Sequence, residues 1–244
     1  MSAYQRILVI PDTQLKKGVP TRHLTAISNY IEAKRPDVIL HLGDHFDMPS
    51  LSSYSLALEK EGKRYADDIA AGVNGMTLLT AFRKKARGYR PRMVFTEGNH
   101  ERRVQRTVDN NPALEGVISA QDFRLPEFGW TVYPFLKVAR LAGWEASHYF
   151  VSGPKGNPVS SAAALLRERQ NSAIQGHVQS FQIATHSKTR KMGIFAGTAY
   201  MHDEAYLGPQ ANTCPRQIIV INEAKDGRGD LMIVSLSYLL REWT

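Results

Sequence analysis

Val38-Ile39-Leu40-His41-Leu42-Gly43-Asp44-His45-Phe46-Asp47 passes from an apolar run straight into a polar cluster, and that junction decides the fold class. Two other segments repeat it. Ile7-Leu8-Val9-Ile10 leads into Asp12-Thr13-Gln14, and Met93-Val94-Phe95-Thr96 leads into Gly98-Asn99-His100-Glu101. Near-continuous apolar runs of this length suit parallel strands covered on both faces. In such sheets ligands bind beyond the carboxyl ends of the strands, which is where these carboxylates, amides and imidazoles are gathered. A fourth motif, Gly176-His177-Val178-Gln179, follows the short run Ser172-Ala173-Ile174-Gln175. Oxygen and nitrogen donors with almost no sulfur describe a divalent-metal site.

Outward from these junctions, the pattern predicts strands at 5–11, 37–42 and 92–97, separated by helices at 21–34 and 62–87. This is βαβαβ order with right-handed crossovers. The second helix is carried by Ile69, Val73, Met76, Leu79 and Phe82. Between it and the second motif, residues 48–61 hold Pro49, four serines, Leu51, Leu56 and Leu58, and read as an insertion forming a substrate-facing lid. Short strands are expected at 130–137, 147–152, 172–176, 193–197, 216–222 and 231–237, with one helix at 159–170, giving a second sheet packed on the first. Gly153-Pro154-Lys155-Gly156-Asn157-Pro158 is a turn that lacks the ending of a phosphate loop. With no repeat and no linker, a single domain over 1–244 is expected.

Composition narrows the function. The chain has 31 Lys and Arg against 23 Asp and Glu, a net charge of +8, with clusters at Arg83-Lys84-Lys85, Arg102-Arg103 and Arg190-Lys191. That balance favours a polyanionic partner and steers anions toward a carboxylate-rich metal site. No helix-turn-helix, zinc finger or aromatic platform accompanies it, so sequence-specific nucleic-acid binding is not expected. No stretch approaches the ~20 apolar residues needed to cross a bilayer, and the polar N-terminus is not a signal peptide, so a cytoplasmic protein is expected. The single cysteine, Cys214, excludes an internal disulfide and reads as a packed thiol. Nothing in the composition speaks to the oligomeric state.

Taken in order, the motifs resemble the signature of the calcineurin-like metallophosphoesterase superfamily, Asp-x-His, Gly-Asp-x-x-Asp, Gly-Asn-His-Glu, a lone His, then Gly-His-x-His, over residues 12 to 179. The stretch Gly197-Thr198-Ala199-Tyr200-Met201-His202-Asp203-Glu204 also looks like a phage-type subgroup. The resemblance implies an α/β fold, a four-layer α/β/β/α sandwich of two mixed sheets flanked by helices, with two divalent ions at the sheet edge. It implies that Asp44 bridges the ions and that Asn99 and His177 hold the second. The family's upstream histidine ligand falls on His148, the only histidine between residues 101 and 176, although Tyr149 stands where the family has glycine. His100 is implied as the general acid, oriented by Asp47, while a hydroxide bridging the ions attacks phosphorus. Arg103, from the family's Asn-His-Glu-x-Arg pattern, or Arg102 would neutralise the phosphate oxygens.

Two departures fall on one ion. Gln14 and Gln179 stand where the family has the two histidines of its first site. The first site is therefore expected to be all-oxygen, built from Asp12, Asp44, Gln14 and Gln179, and suited to manganese, magnesium or calcium. The second keeps His148 and His177 and suits zinc or iron as well, manganese being the expected ion overall. Of the remaining histidines, His41 reads as packed or as partner to a carboxylate, His45 and His202 as substrate contacts, and His23 and His186 as surface residues. The function expected is a metal-dependent phosphodiesterase or nuclease acting on nucleic acid or nucleotides. The alternatives are a phosphomonoesterase acting on protein or small molecules, and a catalytically weakened module that only binds nucleic acid.

Overall fold

Alternation along the first apolar run decides what lies on either side of it. Ile7 and Val9 face one way, Leu8 and Ile10 the other, and all four are buried. The computed structural model describes residues 3–53, 57–204 and 213–244. Its strands are β1 (Gln5–Ile10), β2 (Val38–His41), β3 (Arg92–Thr96), β4 (Thr131–Tyr133), β5 (Ala139–Leu141), β6 (Trp144–Ala146), β7 (Val151–Ser152), β8 (Asn157–Pro158), β9 (Ala173–Gln175), β10 (Phe181–Thr185), β11 (Met192–Ala196), β12 (Gln217–Lys225) and β13 (Arg228–Ser235). Its helices are α1 (Arg22–Lys34), α2 (Ala57–Lys60), α3 (Tyr65–Leu79), α4 (Phe82–Lys85), α5 (Arg102–Asn110), α6 (Ala162–Arg169) and α7 (Leu236–Glu242).

One sheet runs β13-β12-β1-β2-β3-β4 and a second runs β10-β11-β9-β6-β5. Strands β1 to β4 are parallel, β1 to β3 as their apolar runs predict, and β12 and β13 extend the sheet antiparallel beyond β1, so the strands expected at 130–137, 216–222 and 231–237 in the second sheet lie in the first instead. Three buried layers follow. Leu8, Ile10, Ile39 and Phe95 pack under α1, α3 and α7. Ile7, Val9, Leu40 and Val94 meet Leu141, Trp144, Ile174 and Ile194 of the second sheet. Ala173 and Phe195 on that sheet's far side are covered by Ala162 and Leu165 of α6. The result is an α/β/β/α sandwich of two mixed sheets, which is the fold the resemblance implies.

Several elements differ from the sequence reading. The helix expected over 62–87 breaks after Leu79, where the Phe82 N–H leaves the helical pattern and donates to Ser28 Oγ of α1 (2.9 Å), burying the Phe82 ring. The strand expected over 130–137 stops at Tyr133, since Pro134 has no N–H to continue the ladder. A hairpin follows, β5 to β6, turned by Ala142-Gly143 with φ of 47° and 84°. Only Val151–Ser152 of the strand expected at 147–152 is paired, which leaves His148 in the loop after β6. His23, expected at the surface, is buried at the start of α1. Burial, then the nearby charges of His202 and His45, push its imidazole down to about 3. Of the 48–61 insertion, Pro49–Leu51 form a 3₁₀ turn and Ala57–Lys60 form α2, while residues 54–56, Leu56 among them, lie outside the described residues.

Candidate metal centre

The polar residues that follow β1, β2 and β3 in one sheet meet those that follow β6 and β9 in the other. Asp44, His148 and His177 each offer a ligand atom, all within 4.8 Å of one another. His148 Nδ1 donates to the Leu42 carbonyl (2.7 Å), which fixes the ring. Its Nε2 then points at Asn99 Oδ1 (2.9 Å) and Asp44 Oδ2 (3.3 Å). A histidine anchored through its far nitrogen is how ligand tautomers are set in metal sites. The three groups select a positive centre at or beside that nitrogen, whether a proton or a cation.

Glycines make this approach feasible. A Cβ on Gly98 would overlap the Asp44 carboxylate, and one on Gly176 would overlap Asp12 Oδ1. Four polar residues beside them hold left-handed backbone, Gln14, Asp44, His177 and Gln179 having φ of 40°, 48°, 64° and 61°.

The first-site residues are arranged differently. Both Asp12 oxygens accept from the His177 N–H at 3.2 Å. Gln14 is fully buried, and neither its amide oxygen nor its amide nitrogen has a hydrogen-bond partner. A buried amide left unpaired is costly, so this is a place where a cation on the oxygen fits the donor set. Gln179 Oε1 accepts from the Tyr200 hydroxyl (3.1 Å), so its carbonyl is already shared. Asp12 and Gln14 thus fit an oxygen-liganded ion more simply than Gln179 does.

Charge is distributed to match. Burial pushes the Asp12 carboxyl up to about 7, with Asp44 adding to the rise and His148 opposing it. Burial acts the same way on Asp44, but the charges of His100 and His148 override it and bring that carboxyl well below the usual carboxylate range. Burial would lower His148, but Asp44 raises it to about 9. His177, buried beside His148, falls to about 4.

Beside the cluster stands an acid and its support. His100 Nδ1 lies 2.8 Å from Asp47 Oδ1, and its Nε2 takes a guanidinium N–H from Arg103 (3.1 Å). Burial lowers His100, but Asp44 and Asp47 outweigh burial and Arg103, and the imidazole ends above its ordinary value. Arg102 turns away to the half-exposed Asp109 (3.5 Å). The other Asp47 oxygen pairs with Lys16 Nζ (2.8 Å), and Lys16 is held in turn by Glu204 (2.7 Å). Nothing in the sequence marks Lys16 except its place two residues after Gln14. His202, expected to meet substrate, has its Nε2 on Glu204 Oε1 (2.6 Å) and its ring against Tyr200.

Two buried networks hold the loops. One carboxylate, Glu101, accepts four backbone N–H groups, those of His45 (2.7 Å) and Phe46 (2.9 Å) on Oε1 and those of Asp44 (2.9 Å) and Gly98 (2.9 Å) on Oε2. It ties the second motif to the third. Behind them, the Gly43 N–H donates to His41 Nδ1, so His41 Nε2–H must donate to Thr13 Oγ1 (3.2 Å). The Thr13 hydroxyl then donates to His45 Nδ1 (2.7 Å), and His45 Nε2–H donates to the Gly72 carbonyl (3.0 Å). Backbone groups at both ends fix every proton, and both rings are neutral. Burial accordingly holds His41 well below its ordinary value and His45 down to about 4. His45 is fully buried with both nitrogens engaged and so does not face substrate. His41 partners a hydroxyl and a backbone N–H rather than a carboxylate.

A family model for calcineurin-like phosphoesterases matches residues 5–154. The Gene 54 protein of Mycobacterium phage L5 is 30% identical over 199 residues, covering 75% of this chain and 72% of its own. The Gene 54 protein of Mycobacterium phage D29 is 30% identical over 194 residues, again covering 75% and 72%. Among solved structures, Vps29 from Entamoeba histolytica complexed with Zn+2 aligns with 95% of this chain and 99% of its own at 14% identity, TM-score 0.42. A phosphoesterase predicted in Streptococcus pneumoniae TIGR4 aligns with 96% and 99% at 11% identity, TM-score 0.36.

Proposed function

Because the chain belongs to the calcineurin-like phosphoesterases, which are metal-dependent, we propose that it hydrolyses phosphodiesters of nucleic acid or nucleotides, with His100 as the general acid. The observation that carries this reading is the hydrogen bond from His100 Nδ1 to Asp47 Oδ1 (2.8 Å) beside the Asp44, His148 and His177 cluster. An acid with an orienting carboxylate serves a bond-breaking step. The net charge of +8 supports a nucleic-acid substrate, since phosphate neutralisation dominates affinity there. Lack of a disulfide-forming cysteine pair goes with a cytoplasmic setting.

Asp44, Asn99, His148 and His177 would hold one ion, and Asp12, Gln14 and Asp44, with Gln179, a second, manganese suiting both sets. When bound, such ions neutralise phosphate charge and activate the attacking water. The chain's own residues do the rest. A guanidinium only donates, so with Arg103 on its Nε2, His100 carries its proton on Nδ1 and cannot give one from Nε2. An arriving phosphate draws Arg103 onto its oxygens and so frees Nε2 to be protonated. Asp44 and Asp47 favour that protonated form, and Nε2–H then passes its proton to the leaving oxygen. Against burial, His100 and then Lys16 hold Asp47 ionised, and Lys16 also fixes its orientation. A second reading, a module that binds without hydrolysing, draws on Gln14 and Gln179.

Hydrolysis of single-stranded DNA, duplex DNA, RNA, cyclic nucleotides and phosphomonoesters, side by side with added manganese, separates these readings. We expect diesters to be cleaved, and His100→Ala to lower kcat by about 10²–10⁴ on alkyl leaving groups. Silence with every divalent ion, or activity that survives both Asp44→Asn and His100→Ala, would sink the enzyme reading. Preferential cleavage of monoesters would reassign the substrate.

A further inference from the structure

A cleft of about 310 Å³ opens beside His100, between the 50–53 segment with Lys60 on one side and α5 on the other. Its walls carry Lys60, Arg103, Arg106, the Ser53 and Thr107 hydroxyls and the Asn110 amide, and among the described residues no carboxylate lines it. That volume is at the lower end for small-ligand sites. Asp47 is bonded to His100 and Lys16 and pairs with Arg103 at 3.9 Å, and the buried Asp68 accepts the Ser50 N–H (2.9 Å). Among the described residues Lys60 and Arg106 form no ion pair, and Arg106 reaches only Ser53 Oγ, at 3.5 Å. Two cations without an ion pair among the described residues, beside Arg103, whose partner Asp47 it shares with His100 and Lys16, make an arrangement that an anionic ligand relieves.

The position of Arg103 says which part of a substrate would lie there. One guanidinium touches His100 Nε2 (3.1 Å) and the Asp47 carbonyl (2.7 Å) and also lines the cleft. The leaving oxygen, which must face His100 Nε2, is therefore at the mouth of the cleft, and the rest of the leaving group extends into it. We propose that this cleft is the subsite for the next phosphate on the leaving-group side, so that the preferred substrate is a nucleic-acid strand rather than an isolated ester. This rests on the phosphodiesterase reading above. Arg106 and Lys60 contact that phosphate, a fork and a point charge suited to its oxygens. With guanidinium, ammonium and the Ser53 and Thr107 hydroxyls as its donors, the cleft grips the backbone.

The test is the double variant Lys60→Gln with Arg106→Gln, both side chains lying on the surface of the cleft. The ratio of kcat/KM for a short DNA strand to that for bis(p-nitrophenyl) phosphate should fall at least tenfold. In parallel, anisotropy of a labelled ten-nucleotide strand in EDTA should show weaker binding. Its log–log salt slope should become shallower by about 0.7 for each phosphate no longer neutralised. A ratio that stays within twofold overturns the proposal, as does an equal loss on both substrates. A phosphopeptide losing affinity to the same degree as the strand would assign the cleft to phosphoprotein instead. If the unmodified protein cleaves neither ester, the phosphodiesterase reading fails on its own. The cleft is then judged by anisotropy, where unchanged strand binding by the double variant refutes it.

Discussion

Replacing Glu101 by glutamine changes one buried atom and leaves shape and volume nearly intact. The carboxylate accepts four N–H groups, two on each oxygen, at 2.7 to 2.9 Å. An amide can present its oxygen to only one pair, and its NH₂ then confronts the other two donors. Each buried N–H left unpaired costs about 1–3 kcal/mol, so Glu101→Gln should lose about 2–6 kcal/mol. That is a large fraction of the ~5–15 kcal/mol that holds a domain together. At about 2–4 °C per kcal/mol for a chain of this size, the thermal midpoint should drop by at least about 4 °C. The donors belong to the loop that carries Asp44, so divalent-ion affinity should fall together with stability. Calorimetric unfolding, with and without manganese, measures both. A midpoint within about 2 °C of the unmodified protein would refute the four-donor account, and a lower midpoint with unchanged ion affinity would refute its link to Asp44.

Four further outcomes follow from the buried groups. In the chelated protein His148 holds its proton up to about 9, so an ion bound at pH 8 should release one proton, read by calorimetry in buffers of different ionisation enthalpy, and zero release would exclude Nε2 as a ligand. That folded value lies above the ordinary 6.5, so the stabilisation is fully present below pH 6.5 and is lost as pH rises through about 9, a loss of about 3 kcal/mol visible in urea midpoints of chelated protein. Thr13→Val, nearly isosteric, strands His41 Nε2 and His45 Nδ1 and should cost about 2–6 kcal/mol; a urea midpoint equal to that of the unmodified protein would break the proposed proton order. In manganese-soaked crystals the histidine-bearing site should fill before the Asp12 and Gln14 site, and Gln14→His should raise zinc occupancy there; anomalous peaks of equal height for zinc at both sites of the unmodified protein would end the asymmetry argument.

The first half of the fold was legible because each strand is an apolar run of four or more residues ending at a polar motif. β1, β2 and β3 therefore lie where the pattern puts them. The second half was harder for identifiable reasons. β5 and β6 are three residues each, include Arg140 and Glu145, and join through Ala142-Gly143 instead of an Asn-Gly or Asp-Gly pair, so neither periodicity nor turn chemistry announces the hairpin. His23 occupies a polar position at a helix start, and only the tertiary packing that brings it near His202 and His45 buries it. The residue types of the candidate site could be read, but their partners could not. Thr13 between two imidazoles, Lys16 between Asp47 and Glu204, and Glu101 under the N–H groups of Asp44, His45 and Phe46 are contacts across 28 to 188 positions of sequence. Local pattern carries no record of such pairings.

The left-handed backbone at Gln14, Asp44, His177 and Gln179 has a consequence for how such a chain can change. Each residue with a Cβ held there costs about 1–2 kcal/mol that glycine would not. A laboratory lineage selected for thermal tolerance alone should therefore replace these four side chains early and gain stability with each loss. One selected for turnover should keep them and collect its stabilising substitutions elsewhere, in α6 or on the outer face of β13. The positions at which two such lineages diverge would trace the boundary between residues that hold the fold and residues that the fold carries at a cost.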